Sequence, residues 1–176
     1  MHRSIAIARS QPGLAVVLPV LLAVVLMAET DLLSLSELLR PLTDLTTMVT
    51  AASLQAIGYD ALVAGNEIFE RGDFGYRIGY ACTGIWSILF LCALIAADRN
   101  VTRSRRAALL WGISVLWLLN LGRLVTLYIT GVSAPEAFGI LHGVVWPLAT
   151  AAVVAWLWLR ARARKTRRGQ ARRSSK

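Results

Sequence analysis

Apolar residues run in four long blocks separated by clusters of charge. They are Gly13–Ala28, Ile85–Ala97 extended outward through Tyr80, Ala107–Gly131 and Phe138–Leu159. Each approaches the roughly 20 residues a helix needs to cross a bilayer core. The pattern predicts an all-α integral membrane protein, one membrane-embedded domain over residues 1–176, with spans at 13–28, 80–97, 107–131 and 138–159. The first block follows Arg3 and Arg9, as a signal peptide would. The small residues before Glu29 make a poor cleavage site, so it reads as an uncleaved span.

A different pattern fills the segment 29–80. Leu42, Leu45, Val49, Ala52 and Ala56 recur at helical spacing with Thr and Ser between them. This predicts an amphipathic helix on or in the outer leaflet, with Pro41 in its first turn. Tyr59–Phe69 and Phe74–Ala81 flank Gly72-Asp73, which reads as the turn of a short extracytoplasmic hairpin leading into the second span. The Arg71-Gly72-Asp73 triplet reads as a turn rather than an adhesion motif.

Charge then orients the spans. Lys and Arg number two before the first span, four in Arg99–Arg106 and nine after Leu159, against three (Arg40, Arg71, Arg77) in the opposite segments. Of the ten acidic residues, Asp98 alone lies on the basic side. The positive-inside rule puts both termini, the 98–106 loop and the basic tail 160–176 in the cytoplasm. The net charge of +9 thus follows the spans instead of forming one face of a soluble domain, which argues against nucleic acid. A mean hydropathy of +0.58 agrees with a lipid-embedded chain. No Gly-rich phosphate loop or metal-ligand set is present, and no cofactor is implied.

Three side chains stand out at the outer ends of different spans. Arg123 lies about sixteen residues into the third span, where a charge is costly and usually faces protein or water, although an arginine near the surface can also snorkel. Asn120 shares its helix face. Cys82, in Ala81-Cys82-Thr83-Gly84, opens the second span, where a helix N-terminus and a nearby arginine favour thiolate. Gly84 removes bulk beside it, leaving room for a substrate backbone. Ten residues on, Cys92 lies mid-span among Leu and Ala and reads as packing; on a helix the two cysteines are about 15 Å apart, too far for a disulfide. His142 opens the fourth span, with Trp146 one turn below. Pro147 cannot donate to the Gly143 carbonyl, leaving an acceptor near the site. Each has a bland reading as packing or an interfacial residue. Together, a thiol, an imidazole able to act as base and acid, and a guanidinium for an oxyanion describe acyl transfer through a thioester.

Ala81-Cys82-Thr83-Gly84-Ile85 opening one span, Asn120-Leu121-Gly122-Arg123 inside the next and His142 opening the last resemble the exosortase/archaeosortase family. Ile57-Gly58-Tyr59, Gly65 and Ile68 are similar to that family's lead-in, and the resemblance covers residues 42–159. Many members have about twice as many spans, so this chain resembles a compact, exosortase H-like form. Threonine follows the cysteine where serine or alanine is commoner, and Pro147 follows Trp146 where a polar residue is expected. The resemblance implies a membrane cysteine transpeptidase of the bacterial plasma membrane. It would act on membrane-anchored proteins carrying a C-terminal sorting signal of short motif, transmembrane helix and basic tail. Cys82 would be nucleophile, His142 acid/base and Arg123 oxyanion stabiliser, with Asn120, Gly84 and Trp146 supporting. A non-catalytic membrane assembly factor or scaffold is the competing reading. A third reading takes the chain itself as a sorted substrate, with Pro135-Glu136, an apolar helix and the basic tail; it is weakened because cleavage there would remove His142.

Overall fold

Two apolar helices set the length of the molecule. The computed structural model describes residues 37–70, 74–98 and 105–173, with side chains followed to residue 163. In chain order the elements are α1 (Arg40–Ala56), β1 (Leu62–Ala64), β2 (Glu67–Phe69), β3 (Gly75–Arg77), a 3₁₀ turn (Tyr80–Thr83), α2 (Ile85–Ala97), α3 (Arg105–Ser133), α4 (Pro135–Ile140), a π turn (Leu141–Val145) and α5 (Trp146–Arg173). α3, and the continuous helical stretch Pro135–Ala163, are long and apolar enough to cross a membrane. Only 22% and 11% of their most apolar windows are buried inside the protein. Side chains such as Leu110, Leu118, Leu148 and Leu159 point outward, as a lipid-facing surface requires and a soluble core helix does not allow.

The expected span over 80–97 is shorter as a helix. Its first four residues form the 3₁₀ turn, and α2 itself has 13 residues, about 20 Å. The predicted span 13–28 lies outside the described residues, as do the Arg71-Gly72-Asp73 turn and the loop 99–104. α2, α3 and α5 form a three-helix bundle around Leu91, Ile95, Leu116, Val154, Leu157 and Ala161. Gly112 lets Leu91 lie directly on the α3 backbone. At the charged end of the bundle Arg162 pairs with Asp98 at 3.0 Å, and Arg160 and Arg162 lie over Trp156 and Trp158. Basic and tryptophan residues meeting at one depth fit a membrane–water boundary.

The segment ahead of α2 folds into a cap on the opposite end. The expected helix is present, with Pro41 in its first turn, but its threonine face is the one turned inward. Thr43, Thr46, Thr47 and Thr50 are buried, whereas Leu45, Met48, Ala52 and Ala56 are exposed. Each buried threonine hydroxyl donates to the carbonyl four residues earlier, at 2.7–3.1 Å. Such back-bonding hides the hydroxyl, so threonine packs as a small apolar residue. α1 ends at Gly58 (φ +96°), where Gly58 and Tyr59 N–H return to the carbonyls of Gln55 and Leu54, the pattern of a Schellman cap.

The expected hairpin is present as β2 and β3, and β1 extends it to a three-stranded antiparallel meander in the order β1-β2-β3. The overlooked turn is Gly65-Asn66, between the paired Ala64 and Glu67. Asn66 fixes the exit of β3, accepting from Ile78 N–H at 2.8 Å and donating to its carbonyl at 3.0 Å. Strand alternation turns Ile68 and its cross-strand partner Tyr76 inward, while Glu67 and Arg77 form an ion pair on the solvent side. The cap then packs on the C-terminal turns of α3, through Ala51, Leu54, Ala61, Ile68, Tyr76 and Ile78 against Leu124, Leu127 and Tyr128.

Candidate active site at the seam between cap and bundle

Cys82 sits where the cap chain turns down into the bundle. Its N–H bonds to the Gly79 carbonyl at 2.9 Å, and the buried Thr83 hydroxyl donates to Tyr80 O at 2.7 Å. The turn is therefore tied at both sides of the thiol. From α3, Asn120 donates its Nδ2 to the Cys82 carbonyl at 2.8 Å. Gly84 follows at φ +77°, and a Cβ there would lie 2.9 Å from Asn120 Cγ. This corrects the role expected for Gly84: the space beside it is taken by Asn120, not left for substrate. Asn120 is likewise more than a neighbour of Arg123, because it anchors the backbone that presents the thiol.

Arg123 lies one turn further along α3, half-buried, with its Nε shielded and without a hydrogen-bond partner. His142 is carried by the π turn Leu141–Val145. The physical cause is Pro147, which lacks the N–H that an α-helix would send to Gly143. The ladder widens instead, and Trp146 N–H bonds to Leu141 O, five residues back. The free acceptor expected from Pro147 is thus part of a π bulge, a feature that often marks functional sites. The His142 ring stacks on Phe138, with centroids 5.6 Å apart and planes 7° apart; its Nδ1 is buried and unpartnered. Trp146 packs against the same core, its indole N–H also without a partner.

Tyr76, which sequence reasoning missed, joins these groups. It is 7% exposed, its ring meets Phe138 edge-on at 6.0 Å, and its hydroxyl is buried without a hydrogen-bond partner among the described residues. Burial raises the Tyr76 phenol well above the ordinary tyrosine range; Cys82 adds to the rise and Arg123 opposes it. Arg123 also acts electrostatically on His142. Tyr76 on β3 thus feels the charges of Cys82 in the 3₁₀ turn and Arg123 on α3, and Arg123 in turn acts on His142 in the π turn. Cys92 lies apart on α2, and both thiols are free. Buried polar atoms without partners are uncommon, and each costs about 1–3 kcal/mol. Here the Tyr76 hydroxyl, Arg123 Nε, His142 Nδ1 and Trp146 Nε1 are buried without partners among the described residues, and Tyr76 and Trp146 belong to the core on which Cys82 packs.

The family model for transmembrane exosortase (Exosortase_EpsH) matches residues 4–159. The chain belongs to that family. The matched stretch of this exosortase takes in the cap, the bundle and Cys82, Tyr76, Arg123 and His142. No curated protein and no solved structure matches it. The residues similar to the family's lead-in also gain a physical role here: Gly58 ends α1, Gly65 turns β1 into β2, and Ile68 is fully buried against the C-terminal turns of α3.

Proposed function

We propose that this exosortase is a membrane cysteine transpeptidase that cleaves C-terminal sorting signals of exported proteins and passes them to an acceptor through a thioester. The observation that supports the reading is that Cys82 packs on the core beneath the cap, while Arg123 Nε and His142 Nδ1, on two other elements, are buried without partners among the described residues. In the proposed cycle a substrate enters laterally from the outer leaflet of the bacterial plasma membrane. The Cys82 sulfur attacks the scissile carbonyl carbon, and Arg123 stabilises the oxyanion. The C–N bond breaks as protonated His142 gives its proton to the leaving amine, and the tailed helix departs. His142 then accepts the proton of the acceptor nucleophile, which displaces Cys82 from the thioester. Four spans with both termini in the cytoplasm would put this chemistry on the extracytoplasmic side, and the 13-residue α2 would rely on the 3₁₀ turn for part of its crossing.

Expression of Cys82→Ala beside a tailed substrate tests the proposal. The variant should insert normally and leave the substrate unprocessed, while Cys92→Ala processes it as the unaltered protein does. Processing retained in Cys82→Ala would favour the non-catalytic assembly factor.

A further inference from the structure

Where the start of α1, the β1–β2 turn and the chain leading into Cys82 meet, the cap holds an open cavity of about 290 Å³. That is near the lower end of the range for small-ligand sites. Its lining is polar and of mixed sign, with Arg40, Glu37, Asp44, Asn66 and Tyr80. Arg40 meets Glu37 only loosely, at 3.9 Å, and Asp44 has no ion-pair partner among the described residues. Asn66 spends its Nδ2 on the Ile78 carbonyl, which leaves its Oδ1 as an acceptor. Two carboxylates and an amide oxygen call for a cationic N–H donor, whereas the guanidinium calls for an anion. One small cavity that answers to both fits a zwitterion. The surface beside it is apolar: Arg40, Asp44 and Met48 form a row four residues apart on α1, and Met48 and its neighbour Leu45 are exposed. The depth of the cap agrees with lipid contact. A helix crosses a hydrocarbon core in about twenty residues, or roughly 30 Å. Counted along α3 from its basic start at Arg106, that crossing ends near Leu127, where the cap packs.

We propose that this cavity is a headgroup site for a zwitterionic phospholipid that carries a primary amine. Arg40 takes the phosphate, Asp44, Glu37 and Asn66 Oδ1 take the ammonium, and the acyl chains lie along Leu45 and Met48. A primary ammonium is preferred to choline, which has no N–H for these acceptors, and Tyr80 alone is no aromatic cage. An anionic headgroup without an amine leaves both carboxylates unanswered. The site stands apart from the transpeptidase reading and does not need it. It does share a wall with the turn that presents Cys82. The Gly79 carbonyl accepts from Cys82 N–H and the Tyr80 carbonyl from the Thr83 hydroxyl, so an occupied site braces that turn.

Native mass spectrometry of the full-length protein, stripped of lipid in detergent, tests the site. Phosphatidylethanolamine, phosphatidylcholine and phosphatidylglycerol are added in turn over a range of concentrations. One phosphatidylethanolamine should be retained at a concentration about tenfold below that needed for either other lipid. Asp44→Asn should remove that preference, and Arg40→Gln should weaken phosphatidylethanolamine by a similar factor. Gly79 offers an independent block. Its backbone is extended, at φ −89° and ψ 171°, and a Cβ there meets nothing within 4 Å. Gly79→Leu should therefore fill the cavity and abolish the preference while the thermal midpoint in lipid-free detergent stays that of the parent. Glycerophosphoethanolamine has the headgroup without the chains, and it should compete only at about a hundredfold higher concentration or more. Equal retention of the three lipids overturns the proposal, as does an Asp44→Asn or Gly79→Leu protein that keeps the preference. Glycerophosphoethanolamine competing as well as the lipid would overturn it too, since the ligand would then be a free zwitterion. Should Gly79→Leu fail to accumulate, Asp44→Asn decides. Substrate processing by Cys82→Ala, whatever its outcome, leaves these lipid results unchanged.

Discussion

Replacing Gly84 by alanine sets two costs against the turn that presents Cys82. The position has φ +77°, where an L side chain costs about 1–2 kcal/mol. The new methyl would also come 2.9 Å from Asn120 Cγ. Asn120 must then shift, and its 2.8 Å bond to the Cys82 carbonyl is lost, at about 1 kcal/mol. The total of roughly 2–3 kcal/mol should lower the thermal unfolding midpoint by about 5–10 °C in a chain of this size. Asn120→Ala loses the same hydrogen bond alone, at about 1–2 kcal/mol. Because that bond can be lost only once, the double variant should fall short of additivity by about 1 kcal/mol, beyond the roughly 0.3–0.5 kcal/mol scatter of independent sites. Tryptophan fluorescence of the full-length protein during heating in detergent micelles gives all four corners of the cycle. Strict additivity, or a Gly84→Ala variant as stable as the parent, would refute the proposed contact between α3 and the Cys82 turn.

Pro147→Ala should separate stability from function. Restoring the N–H lets the π turn relax to an α-helix, which should raise the unfolding midpoint while re-aiming His142, so that substrate processing falls at least tenfold. A variant that gains stability and still processes normally would show that the bulge does not position the histidine. Gly131 tests the cap, because the Phe74 ring occupies the space a Cβ would need. Gly131→Ala should cost about 2 kcal/mol in the same heating experiment, and Phe74→Leu should recover much of the loss.

The long apolar elements were legible because their signal is summed over many residues. The expected 107–131 lies within Arg105–Ser133, and Ile85–Ala97 is helical throughout. Polarity misleads on α1, because a threonine that bonds its own helix backbone hides its hydroxyl: leucine and methionine face outward and self-bonded threonines pack inside. The β2–β3 hairpin was legible, but β1 as a separate strand was not: it has three residues, too few for an alternation to stand out, and Gly65-Asn66 was the available turn signal. At the site, Cys82, Arg123 and His142 are conspicuous as rare groups at the ends of apolar segments. Tyr76 is not, since an aromatic in a short strand looks like packing until its register with Ile68 turns it inward with its hydroxyl unpartnered. Pro147 did announce a broken ladder, and the geometry adds that the break is a π turn carrying the histidine.

The central claim is that Cys82 carries the acyl group. Mass spectrometry of the full-length protein, isolated from cells that express a tailed substrate and quenched in acid, examines this directly. The peptide containing Cys82 should gain the mass of the substrate segment upstream of the cut, and neutral hydroxylamine should remove it. Cys92 should carry no such adduct. A Cys82 that stays unmodified while substrate is being processed, or an adduct found on another residue, would contradict the account.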